Sequence, residues 1–260
     1  TSQSRRSSSD HGNSRTAGTP ANAILTIVGD FDPAEAVELA NRYFGHIPGG
    51  ERTPWPQVAP VTQKAAQVVD RDDVPLARVH LAFHSPALYA DGDAAMDVLA
   101  SVLSGGKSRR LYRPVVYARR GAQAVAAPHV SRALGSMFVV QATAAPGVEV
   151  DELAAELENA LRQALTTPPS DDEMERALNH WRKSFFGMVE STLSRAPLLS
   201  GYHHLLGEAD WVARDLQRYT DLKPTDVAAE AQRWLLVDEA VRVDIVPSAA
   251  SSEKAAEVKR

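Results

Sequence analysis

The chain has 260 residues, enough for one large domain or two small ones, each with a core of its own. Hydrophobic residues make up 44% of it, yet no run approaches the roughly 18 consecutive apolar positions of a spanning helix, and the absence of cysteine excludes disulfides and thiolate metal sites. A net charge of -5, from 28 basic and 33 acidic residues, argues against general polyanion binding and leaves any basic patch to be judged locally.

Residues 1–21 are rich in Ser, Arg and Gly and carry no apolar periodicity, so a disordered leader is expected there; they also lack the apolar centre of a signal peptide. Order is expected to begin at residue 22. Ala23–Val28 reads as an aliphatic, β-branched strand, and Asp32-Pro33-Ala34-Glu35 as a capped helix start with Val37, Ala40 and Phe44 on one face. Residues 48–63, with five prolines or glycines before residue 57, form an extended linker. Strands follow near Ala65–Val69 and Arg78–His84, the second alternating Val79, Leu81 and Phe83 with polar or small residues. A helix at Asp93–Leu103 precedes a basic segment predicted as a helix over Arg109–Arg120. Two β-rich runs come next, Ala122–Val130 and Ser136–Ala144. Helices resume at Val150–Leu165 and at Asp171–Thr192, the latter after the capping pattern Ser170…Glu173. Pro197 breaks the pattern, and helices near Leu198–Leu206, Trp211–Tyr219 and Thr225–Leu236 lead to a last strand at Val241–Val246 and a frayed tail from residue 248. Strands and helices group in blocks, which favours an α+β layer architecture.

The chemical motifs are few. "GGKS" ends like a phosphate loop, but Ser101 holds the place of the first glycine and the preceding segment reads as a helix where that motif needs a strand. Five arginines between Ser104 and Gly121 suggest a nucleic-acid stripe, yet 22 arginines stand against six lysines along the whole chain and only Tyr112 and Tyr117 accompany the patch. His80 and His84 share a strand face about 13 Å apart, too far for one ion. Neither H-E-x-x-H, H-x-x-E-H nor G-x-S-x-G occurs.

Four stretches, "AILTIVGDFDPAEAVELANRYFGHIP", "VHLAFHSPALYADGDAAMDVLASVLSGGKSRRLYRPVVY", "DDEMERALNHWRKSFF" and "YTDLKPTDVAAEAQRWLLVDEAVRVDIVP", resemble in their order the insulinase/pitrilysin-type, inverzincin zinc metallopeptidases that include mitochondrial processing peptidases. The resemblance implies a LuxS/MPP-like metallohydrolase fold, α+β, with a mainly antiparallel sheet and helices packed on one face. It makes residues 22–47 the strand-helix remnant of a first domain and residues 64–247 a complete second, non-catalytic domain. The family's H-x-x-E-H belongs upstream of this sequence. The places of its assisting Arg and Tyr hold Val116 and Gln123. The chain is therefore expected to be inactive alone and to bind no cofactor, zinc residing in a missing or partner half. It would close a peptide chamber with a zinc-bearing half or subunit, or as a homo-oligomer, without nucleic acid or a membrane span. The resemblance favours periplasm over cytoplasm. A scaffold subunit of the same fold and a basic-helix polyanion module are the alternatives. Gly105 and Gly106 are read as a backbone-driven joint, with Ser108 capping the following helix. Gly105, Gly106, Ser108, Arg109, Arg110, Tyr112, Arg113 and Tyr117 are the candidate substrate- or partner-facing residues, with no catalytic or metal-binding residue expected.

Overall fold

A computed structural model describes residues 20–59, 62–106, 109–118 and 121–248. Its helices are α1 (Pro33–Phe44), α2 (Asp93–Ser104), α3 (Val150–Ala164), α4 (Asp171–Glu190), α5 (Thr192–Leu206), α6 (Val212–Thr220) and α7 (Pro224–Trp234). Its strands are β1 (Ala66–Asp72), β2 (Arg78–Ser85), β3 (Ala122–Ala126), β4 (His129–Val130), β5 (Ser136–Ala144) and β6 (Val241–Pro247). By its contacts the chain falls into two units, a smaller one of residues 20–59 with Ser184–Ala213 and a larger one of the rest.

In the larger unit the strands form one sheet in the order β1-β6-β2-β5-β3, with β4 also paired to β5. β1 runs parallel to β6 and every other pairing is antiparallel, so the sheet is mixed with an antiparallel majority. Alternation along β2 decides which face is covered. Val79, Leu81 and Phe83 are at most 2% exposed, whereas His80 and Ala82 are half-buried and His84 is exposed. Their partners on β5, Ala142, Val140 and Phe138, continue the same apolar layer. Met96, Leu99 and Leu103 of α2, Leu153, Leu157 and Leu161 of α3, and Val227 and Ala231 of α7 complete that core, each set at helical spacing. Each fully buried leucine stabilises the unit by about 1.5–3 kcal/mol. One carboxylate sits in this layer. Asp244 is fully buried and accepts from Arg242 Nε at 2.8 Å and Gln67 Nε2 at 2.9 Å. Burial alone would pull the Arg242 guanidinium down, but Asp244 and Asp151 hold it above its ordinary value.

In the smaller unit Asp32 caps α1 by accepting from the backbone N–H of Ala34 at 2.7 Å and of Glu35 at 3.2 Å, and Pro33 occupies the first turn. Ser191 caps α5, on which Tyr202 is wholly buried beside Trp211, ring centroids 5.8 Å apart.

Four sequence expectations fail here. Ala23–Val28 is extended but is no strand, because a strand needs a paired neighbour and this segment has none among the described residues. Pro197 lies inside α5. The carbonyl deprived of its bond belongs to Leu193, which is 86% exposed, so water can take that bond. The predicted helix Arg109–Arg120 is instead a turn followed by a π-helical segment, Arg113–Ala118. Pro114 explains the wider coil, since it has no N–H for the regular ladder and crowds the preceding turn. The predicted helix Asp171–Thr192 ends at Glu190, and Ser191 starts the next one.

Candidate functional site

The joint after α2 is backbone-driven. Gly105 donates its N–H to Ser101 O at 3.0 Å, and a Cβ built on it would lie 2.7 Å from that same oxygen, so only glycine fits. Gly106 has φ 140°, a conformation that disfavours any side chain. Ser108 lies outside the described residues, and with it the expected cap.

The basic side chains that follow diverge. Arg110 turns inward, as a correction to its reading as a substrate- or partner-facing residue, and all five of its N–H bonds are taken by the chain itself. Nε and Nη2 donate to the two oxygens of Glu173 at 2.9 and 2.7 Å, Nη1 to the carbonyls of Ala164 and Thr167 at 2.6 and 2.7 Å, and Nη2 also to Pro168 O at 2.7 Å. Ala164 ends α3 and Glu173 stands in the first turn of α4, so one guanidinium satisfies orphan carbonyls at one helix end and ties them to the next start. Glu173 also closes the Ser170 capping box, accepting Ser170 N–H at 2.8 Å while donating its own N–H to Ser170 Oγ at 3.3 Å. Arg110 holds the Glu173 carboxyl below the usual carboxylate range against the opposing pull of burial.

Arg109 is 8% exposed and its Nη1 has no hydrogen-bond partner; burial, and then the nearby Arg176, pull its pKa down. Leu111 and Val115 enter the core, Tyr112 is half-buried, and Arg113 and Tyr117 face outward. The structure therefore does not gather the seven candidates among the described residues into one surface. It uses Gly105, Gly106 and Arg110 to build the joint. A continuous cationic stripe, which a polyanion module would need, is not formed by Arg109 and Arg110.

A second polar constellation has no signal in the sequence. His129 Nδ1 lies 2.6 Å from Asp97 Oδ1 and its Nε2 3.0 Å from Ser85 Oγ. The second oxygen of Asp97 accepts from Tyr219 OH at 2.6 Å. One helical turn earlier, Asp93 accepts from Ser131 Oγ at 2.5 Å, from Arg218 Nη2 at 2.7 Å and from the backbone of Tyr89 at 3.0 Å. Tyr89 has φ 65°, and its hydroxyl is pushed up to about 12 by burial and then by Asp215. Tyr219 stacks on Trp181 with centroids 3.7 Å apart, and burial followed by Asp97 pushes its hydroxyl far up. Ser85, His129 and Asp97 stand in the order of a hydrolase triad, but Ser85 is 5% exposed and the His129 side chain 1%, so no substrate reaches them. The cluster fastens β2 and β4 to α2 and α6. Among the described residues no three His, Asp or Glu side chains come together as a metal ion requires, and the residues present do not fit zinc.

The remaining feature is apolar. Among the described residues 21 large hydrophobic side chains are exposed, and 15 of them belong to the smaller unit although it is much the shorter. Leu25, Ile27, Phe31, Leu39, Tyr43 and Phe44 line a groove of about 420 Å³ along α1, Leu25 being 60%, Tyr43 63% and Phe44 57% exposed. No residue of α1 is buried, despite its amphipathic pattern. A surface of this kind is characteristic of a docking face.

A family model described as the peptidase M16 inactive domain matches residues 16–180. The zinc protease PqqE of Helicobacter pylori is 25% identical over 235 residues, covering 88% of this chain and 52% of that protein. Among solved structures, a protease from Helicobacter pylori superposes with a TM-score of 0.74 at 23% identity, over 85% of this chain and 54% of that one. A peptidase M16 inactive domain from Pseudomonas fluorescens does so with a TM-score of 0.69 at 17% identity, over 85% and 52%. The chain spans about half the length of the curated relative it matches.

Proposed function

This chain belongs to the peptidase M16 family, as an inactive domain matching the non-catalytic C-terminal half of zinc-protease-like proteins, and from that premise we propose that it closes a peptide-binding chamber with a zinc-bearing half. The observation that carries the proposal is the apolar groove on α1, whose side chains have the composition of a core and the exposure of a surface. Residues 22–47 are then the closing segment of the zinc-bearing domain, and Ile24–Val28, extended with no partner for its backbone N–H groups among the described residues, gains a neighbouring strand on assembly. This chain supplies the opposite wall. Zinc and the residues that activate water come from the other half, and the peptide is held between the two.

The test is reconstitution. The chain is mixed with an M16 segment carrying H-x-x-E-H, and association is followed by light scattering and cleavage of a quenched peptide. Association with zinc-dependent cleavage, neither occurring with the Leu39→Glu, Tyr43→Glu double variant, is the expected result. Stable self-assembly of the chain that excludes the zinc-bearing segment would refute it and favour a scaffold of the same fold.

A further inference from the structure

The smaller unit carries a second cavity whose chemistry differs from that of the α1 groove. It measures about 400 Å³, within the size range of ligand sites, and lies between residues 21–24, residues 52–56 and the last turn of α5. Its frame is fixed in advance. Asn22 and Thr53 exchange two hydrogen bonds, Nδ2 to Oγ1 at 2.9 Å and backbone N–H to Oδ1 at 2.8 Å, and Ala21 N–H donates to Gly49 O at 2.8 Å.

The wall has one sign. In a chain of net charge -5, the ionisable side chains lining this cavity are Arg52, His203 and His204, with no Asp or Glu among them. Neither the Arg52 nor the His203 side chain has a hydrogen-bond or ion-pair partner among the described residues. Beside them stands Trp55, 46% exposed, its indole 5.0 Å from the His204 ring at a tilt of 45°. Pro54 and Pro56 stiffen the stretch that presents it.

A guanidinium with unspent donors, imidazoles that donate, and an indole face together describe one ligand class. We propose that this cavity binds a carboxylate-bearing peptide segment, the carboxylate against Arg52 and His203 and a neighbouring apolar side chain on Trp55. The carboxylate belongs either to an acidic side chain or to a peptide C-terminus, the recognition chemistry being the same. The cavity holds two or three residues, not a folded partner.

Calorimetric titration of the full chain with three capped peptides tests this. One carries Phe-Glu within an amidated peptide, one ends in Phe-Ala with a free carboxylate, and one carries Phe-Gln within an amidated peptide. Saturable one-to-one binding of an acidic peptide is expected, and whether the internal or the terminal acid binds identifies the source. Arg52→Gln, at an exposed position where folding is not at stake, should weaken binding about tenfold or more, and Trp55→Ala similarly, while Arg71→Gln in the larger unit should not. Equal binding of the neutral peptide, no effect of Arg52→Gln, or no saturable binding of either acidic peptide would each overturn the proposal. No zinc-bearing segment enters this assay, so its failure and the failure of reconstitution are separate results.

Discussion

Replacing Arg110 by Ala removes a guanidinium whose five N–H bonds all end on the chain itself. The carbonyls of Ala164, Thr167 and Pro168 lose their donor, and Glu173, whose side chain is 17% exposed, is left as an uncompensated charge. Water can reach part of this site, so the loss falls at the lower end of the range for breaking a buried pair, about 3 kcal/mol. Arg110→Lys should recover less than half of that, because an ammonium cannot span two carboxylate oxygens and three carbonyls. Urea unfolding of the full chain, followed by tryptophan fluorescence, measures both. The acid side gives a second readout. Glu173 is held below its unfolded value, so its contribution is present above about pH 4.3 and lost as pH falls through the lower folded value. The gap between wild type and Arg110→Ala should therefore narrow from neutral pH to about pH 3. A cost under about 1 kcal/mol with no such narrowing is what an ordinary surface arginine gives, and would refute the assignment of Arg110 as a helix-end tie.

Gly105→Ala should cost more than the roughly 1 kcal/mol of helix propensity alone, since its methyl would meet Ser101 O at 2.7 Å and the backbone must move; a shift in urea midpoint smaller than that refutes the joint. Asp97→Ala should destabilise by about 3 kcal/mol, because it strands the buried Tyr219 hydroxyl and His129 together, and the double variant with Tyr219→Phe should cost less than the two single changes summed. In hydrogen exchange, the amides of Ile24, Leu25 and Ile27 should exchange fast in the isolated chain and slow on adding a zinc-bearing half, whereas those of Val79 and Leu81 should be protected in both samples; early protection of the first set in a proven monomer would count against a missing neighbour.

What could be read from the sequence is what depends on near neighbours. Val79, Leu81 and Phe83 announce a half-buried strand because their period is two, and the Ser170…Glu173 spacing announces a helix start because both bonds of that cap lie within four residues. The order of such elements was enough for the family resemblance, which the match over residues 16–180 bears out. Ala23–Val28 misleads for the opposite reason. Its composition is that of a strand, but strand formation is a property of a pair, and the composition of one segment says nothing about its partner.

Arg110 and the Asp97 cluster fail to show for a further reason. A polar side chain looks the same in sequence whether it faces water or a buried partner, and only the partner distinguishes the two. For His129 the partners Asp97 and Ser85 lie 32 and 44 residues away, with Tyr219 another 122 beyond Asp97, so no spacing motif can join them. For Arg110 one acceptor is the carboxylate of Glu173, 63 residues on, but the other three are backbone carbonyls, which any residue supplies. An arginine most of whose acceptors are main-chain oxygens has no complementary acidic run to reveal it. The segment Ser104–Gly121 therefore reads as a cationic surface, although Arg110 within it faces the end of a helix.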